Sequence, residues 1–293
     1  MQASDVLIAA IVSGIVMGSV YALVAVGLTV IFGVLRIVNF AHGEFVMLGA
    51  YSTLFLVNYL GVDPYLLLPL NFAVFFGFGV LVQRTLIRWA PPDQSIQVLI
   101  TLGLMLMLQN GALMLWKSDF RTLHSAYLDL TLQLPFLGSL INAGKVAAVA
   151  ISLLVFALLA MFLSRTTEGI AMRALAQDRE AARMVGINTQ RLDALTFGLG
   201  AGVAAIGGNA LAVFFPVFPL IGLQFILKSF VIVVLGGMGS IPGSLLGGLL
   251  IGVLESISAT YLPSGWENFV VYVLFVFMLL ARPQGLFGRV ATR

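Results

Sequence analysis

Eight apolar runs free of charged residues follow one another along the chain: Val6–Leu35, Phe45–Val62, Pro64–Gln83, Ile96–Trp116, Val146–Leu163, Ala194–Leu227, Ser229–Leu254 and Asn268–Ala281. A helix needs about 20 residues to cross the hydrocarbon core of a bilayer, so most of these runs have spanning length. The 34 residues from Ala194 to Leu227 are too many for one span, and Pro216 and Pro219 are expected to end the helix. The last run is short, so its helix is expected to begin before Glu267. This segmentation predicts an all-α polytopic membrane protein, one transmembrane domain over residues 1–293, with about eight to nine transmembrane helices.

Composition agrees with the pattern. With 60% apolar residues, 9% charged residues and a mean hydropathy of +1.08, there is too little polar surface to cover a soluble globule. The net charge of +3 does not point to nucleic acid, because the basic residues sit in the breaks between apolar runs, where they orient a membrane protein. The absence of cysteine excludes disulfides and thiolate metal sites. Residues 1–5 carry no basic segment and the first run is longer than a signal-peptide core, so it reads as a retained helix.

The breaks fix an orientation. With the N-terminus outside and the C-terminus inside, eleven basic residues fall on the cytoplasmic face, five of them in residues 164–192, against Lys117, Arg121 and Lys145 outside. Residues 117–145 then form an external loop, and the alternation from Tyr127 to Leu134 suggests a short β-hairpin there. Lys228 was assigned to the neighbourhood of an outer interface, and Glu255 likewise.

Two of the breaks differ from ordinary loops. The first, Ile31 to Gly43, brings Asn39, His42, Gly43 and Glu44 together between apolar stretches; the second, Leu235 to Gly243, is rich in glycine. An apolar run, a break and a second apolar run in each half suggest a degenerate internal repeat with broken or re-entrant segments, the arrangement in which transporters place a substrate path. Asn39, His42, Gly43 and Glu44 are therefore candidates for the cytoplasmic end of such a path. The competing reading is a cytoplasmic turn, with Asn39 as a cap and Glu44 in the first turn of the next helix. Gly236, Gly237, Gly239, Gly243 and Gly247 lie at spacings that let helix backbones approach, within the subunit or against a second one.

Glu180-Ala181-Ala182-Arg183-Met184-Val185-Gly186 in the arginine-rich loop is similar to the segment by which permeases of bacterial ABC importers dock on their ATPase. A short helix over 178–185, stopped by Gly186 in a left-handed cap, is expected. Residues 27–51 (Gly-Leu-Thr-Val-Ile-Phe-Gly through His42-Gly-Glu to Tyr51) and residues 233–243 resemble the branched-chain amino acid ABC permease family over nearly the whole chain. The resemblance implies the shorter of two permease subunits in the inner membrane, forming half of the path for Leu, Ile and Val. The implied partners are a second permease, two ATPases that carry the ATP and Mg, and a periplasmic binding protein. Relatives importing urea, short amides or other amino acids are similar. One departure is that residues 187–197 lack the Leu-Pro that ends the wider importer pattern.

The chain offers no chemistry of its own. The stretch from Gly138 to Val146 has one residue too many for a phosphate loop and no Ser or Thr after Lys145, and His42 and His124 have no second ligand nearby in sequence, so no cofactor or metal is expected. A proton-coupled secondary transporter using Glu44 or Glu255 as relay, and an intramembrane enzyme, are the alternatives from other classes. Neither requires a docking helix.

Overall fold

A computed structural model of the chain describes residues 3–91, 93–123, 131–133, 140–282 and 284–287. In order these form α1 (Ala3–Leu35), α2 (His42–Leu60), α3 (Leu68–Thr85), a single helical turn (Ile87–Trp89), α4 (Gln94–Trp116), β1 (Thr131–Gln133) and β2 (Leu140–Asn142). There follow α5 (Ala143–Arg165), α6 (Thr167–Gln177), α7 (Arg179–Met184), α8 (Thr189–Ala212), α9 (Ile221–Gly236), α10 (Ile241–Tyr261) and α11 (Trp266–Ala281). Among the described residues, six segments are long and apolar enough to cross a membrane: α1, α3 with the turn after it, α4, α5, α8 and α10. Helices α9 and α11 are shorter and apolar. The protein is an all-α polytopic membrane protein. The expected hairpin exists as β1 pairing antiparallel with β2, Leu132 opposite Ile141; the rest of the alternating stretch, and His124, lie outside the described residues.

Two charge-free runs break where proline and glycine mark them. The run from Ala194 stops being helical at Ala212, and residues 213–220 form a non-helical crossing ahead of α9. The run from Ser229 breaks at Gly237 and Gly239, whose positive φ values of 97° and 84° turn the chain tightly into α10. The counterpart of the first break is thus 213–220 rather than the glycine-rich 235–243. Charge runs cannot reveal this, because both linkers are uncharged.

Two units with the same order, long helix, crossing, shorter helix, helix, are built from α1–α3 and α8–α10. They interlock. Helix α1 runs antiparallel to α10 (Gly18 against Gly248 and Leu249, Thr29 Oγ1 at 2.5 Å from Ser244 Oγ), and α8 packs antiparallel on α3, with Gly202 against Phe72 and Gly198 against Phe76. At the centre α1 and α8 meet reciprocally: a Cβ on Gly27 would lie 2.7 Å from the Gly200 carbonyl, and one on Gly200 would lie 2.8 Å from the Gly27 carbonyl. These two helices are the core, with 83% and 89% of their apolar windows buried, whereas α4 and α5 at 22% form the rim. The crossings enter from opposite ends. Arg36, ahead of the first, donates to the Ala176 carbonyl of α6, whereas Val217 in the second pairs with Arg121 beyond α4. Opposed entry is the mark of an inverted repeat.

The glycines of the second half pack within the chain. Gly236 faces Gly243 across the α9–α10 turn, Gly239 touches Gly33, Gly247 meets Ile232, and Gly248 and Gly252 seat on Ala22 and Gly18 of α1. Of the two uses open to this seam, within the subunit or against a second one, these contacts are within the subunit.

Candidate functional site

The first crossing carries its polar residues into the interior rather than to a surface turn. Asn39, His42 and Glu44 are buried, at 0%, 0% and 1% exposure. His42 Nε2 donates to the Val24 carbonyl at 2.9 Å. Val24 lies eleven residues before the end of α1, so His42 sits about 16 Å along the helix from that end. The expected cytoplasmic turn, and the placement of these residues at the mouth of a path, are corrected accordingly: they lie beside the middle of α1. Residue Arg36 starts the crossing in a left-handed conformation (φ 57°), which stops α1. The non-helical backbone from 36 to 39 then runs between elements, with the Val38 carbonyl accepting from Thr101 of α4 and Phe40 against Phe230 of α9.

Both crossings feed helices whose first turns meet. Gly43 and Gly222 are each the second residue of their helix, α2 and α9, and each would clash with the backbone carbonyl of the other if it carried a Cβ. Neither helix has a side-chain cap: Ala41 and Leu220 stand at the cap positions. Asn39 serves instead in a local turn, its Oδ1 accepting from Ala41 N at 3.1 Å. Two helix starts thus converge in the interior, with His42 N and Glu44 N turned to the Asn39 and Ala41 carbonyls and Ile221 N and Leu223 N to those of Phe218 and Leu220, and the positive ends of their dipoles favour an anionic group there. Glu44, in the first turn of α2, reaches toward Gly222 at the start of α9. Both Glu44 carboxyl oxygens, Asn39 Nδ2 and His42 Nδ1 have no hydrogen-bond partner among the described residues. A buried polar atom left unpaired costs about 1–3 kcal/mol, so this cluster is expensive to keep.

A second buried group was missed in sequence. Lys228 Nζ of α9 donates to Glu255 Oε1 of α10 at 2.6 Å and to Tyr21 OH of α1 at 2.9 Å, and the Tyr21 hydroxyl donates to the same Glu255 oxygen at 3.1 Å. Side-chain exposures of 14% and 18% place the pair inside the fold rather than at an outer interface. A signal was available: Lys228 and Glu255 bound one charge-free run, and a turn at its glycines folds its ends together.

The arginine-rich loop is helical. α6 buries Met172 and Leu175 against Ala182 and Leu192, and Asp178 caps α7 by accepting from Glu180 N and Ala181 N. Glu180, Ala181 and Ala182 occupy α7. Gly186 follows with φ 86°, the left-handed stop that was expected, and nothing lies within 4 Å of where its Cβ would be. Met184 and Val185 project at 82% and 76% exposure, an apolar tip on a polar end of the molecule. Ion pairs anchor the base: Arg179 to Asp193, and Arg191 to Glu168 at 2.8 Å. No three His, Cys, Asp or Glu side chains come together among the described residues.

Family comparison agrees with this architecture. The sequence model described as branched-chain amino acid transport system / permease component matches residues 10–279. The chain belongs to that family. It is 33% identical to the high-affinity branched-chain amino acid transport system permease protein LivH of Escherichia coli (strain K12), over 94% of each chain. Against BraD of Pseudomonas aeruginosa, a permease protein of the same description, it is 33% identical over 95% of each. The match to the permease LivM of E. coli is 26% identical and spans 91% of this chain but 67% of LivM, so the chain follows the shorter of the two permease patterns. No solved structure matches it.

Proposed function

We propose that this permease forms half of the translocation path of an ATP-driven importer for branched-chain amino acids, paired with a second permease, two ATPase subunits and an extracytoplasmic binding protein. The observation that carries the reading is the capped helix α7 with its exposed Met184–Val185 tip and Gly186 stop, a compact apolar knob suited to a groove on a soluble subunit. ATP and Mg belong to the ATPases. This end faces the cytoplasm of the inner (plasma) membrane, as the arginine excess requires, and the N-terminus faces outward. The interior junction of Asn39, His42, Gly43 and Glu44 lines the path, where the dipoles of the two helix starts favour the substrate carboxylate and Glu44 favours its ammonium. The ion pair of Glu255 with Lys228 speaks against Glu255 as a proton relay.

Gly186→Val tests the coupling directly. A β-branched residue at this φ costs of the order of 1–3 kcal/mol locally, too little to unfold the chain. The assembled complex should form, yet lose substrate-stimulated ATP hydrolysis. Normal stimulation would remove α7 from the coupling role.

A further inference from the structure

The ends of α1, α3 and α4, with the α7–α8 segment, enclose a cleft of about 630 Å³ at the arginine-rich end. Six arginines line it, Arg36, Arg84, Arg88, Arg179, Arg183 and Arg191, against the single carboxylate of Asp193, which Arg179 already engages. Arg36 donates to the Ala176 carbonyl and Arg183 to Thr189 Oγ1, with the Arg183 charge also near Asp193. Arg84 and Arg88 meet no carboxylate among the described residues; Arg88 lies over the Trp89 ring at 5.6 Å. Gln83, buried at 6% exposure, also lines the cleft and its Oε1 has no partner among the described residues.

Position specifies the ligand further. The cleft lies where three spanning segments begin or end, at Leu35, Trp89 and Gln94, the level at which lipid phosphates sit. Beside it Leu86 and Trp89 are 42% and 76% exposed, as aromatic and apolar residues are at a membrane boundary, and Leu81 and Leu99 continue the apolar surface up α3 and α4. A soluble protein docking its acidic side chains in the cleft would leave that flank uncovered, whereas acyl chains cover it.

We propose that this cleft binds a phosphate-bearing anion, supplied by the headgroup of an anionic phospholipid whose chains lie along α3 and α4. Guanidinium groups hold phosphate oxygens in pairs, and basic pockets between helices at the membrane surface bind lipid headgroups in this way. The site is separate from the transport path, and its test reads binding rather than uptake.

The full-length chain in a neutral detergent is titrated with phosphatidylglycerol, phosphatidylcholine or inorganic phosphate, and bound ligand is counted by native mass spectrometry. Phosphatidylglycerol should bind, phosphatidylcholine much more weakly. The double variant Arg84→Gln, Arg88→Gln, both exposed and away from α7, should bind phosphatidylglycerol roughly thirtyfold more weakly, while Lys117→Gln at the opposite end leaves it unchanged. Inorganic phosphate competing as well as the lipid does would confirm the phosphate chemistry and reassign its source to a soluble anion. Equal lipid binding by the double variant and the parent, or displacement of the lipid when the ATPase subunits dock, would overturn the site.

Discussion

The two halves of the molecule make the same crossing with different residues. In the first, α2 opens His42-Gly43-Glu44; in the second, α9 opens Ile221-Gly222-Leu223. Glycine stands at the second position of both, because there the two backbones touch. The neighbouring positions share nothing: a buried histidine and carboxylate on one side, two aliphatic residues on the other. The fold therefore demands the glycine but not the polar groups, since the second half achieves its crossing with apolar ones. Unpaired buried atoms at about 1–3 kcal/mol each are not kept by architecture alone, which directs attention to the first crossing as the place where something passes.

The largest expected effect falls on what the halves share. Gly43→Val and Gly222→Val should each prevent recovery of folded protein, because a side chain would overlap the facing carbonyl and neither backbone can yield; the cost exceeds the about 1–3 kcal/mol of ordinary overpacking. Membrane yield and size-exclusion behaviour report it. Full tolerance at either glycine would show that the two helix starts do not meet. A smaller effect is expected where the halves differ in charge. Glu255→Ala strands the Lys228 ammonium, and removal of one partner of a buried pair costs about 3–5 kcal/mol, here toward the lower value because both side chains keep some exposure. Adding Lys228→Met should restore most thermal stability and leave transport intact. A double variant that is stable but does not transport would move this pair from the scaffold into the path.

Much of the fold was legible from apolar runs, and α7 with its glycine stop was legible from seven residues, since an N-cap, a helical run and a left-handed glycine are local signals. What stayed hidden was long-range. Proline and glycine mark the uncharged linkers 213–220 and 237–240, but not which of them is the counterpart of the first crossing. Tyr21, Lys228 and Glu255 come from three helices, and the arginine cleft gathers residues from the ends of α1, α3 and α4 and from the loop some 80 positions later. The depth of His42 could not be read either, because a polar break flanked by Arg36 has the same composition at a surface as in an interior crossing.

The central claim, that the polar crossing lines the substrate path and its apolar counterpart does not, can be tested on a chain that contains no cysteine. Asn39→Cys and Leu223→Cys are introduced singly, and labelling by a membrane-impermeant thiol reagent is followed in the reconstituted complex at rest and during ATP turnover. Residue Asn39 is fully buried in this structure, so its replacement should label only during turnover and be slowed by saturating branched-chain amino acid, whereas labelling at position 223 should not respond to substrate. Substrate protection at 223 with none at 39, or no labelling at 39 in any state, would contradict the account.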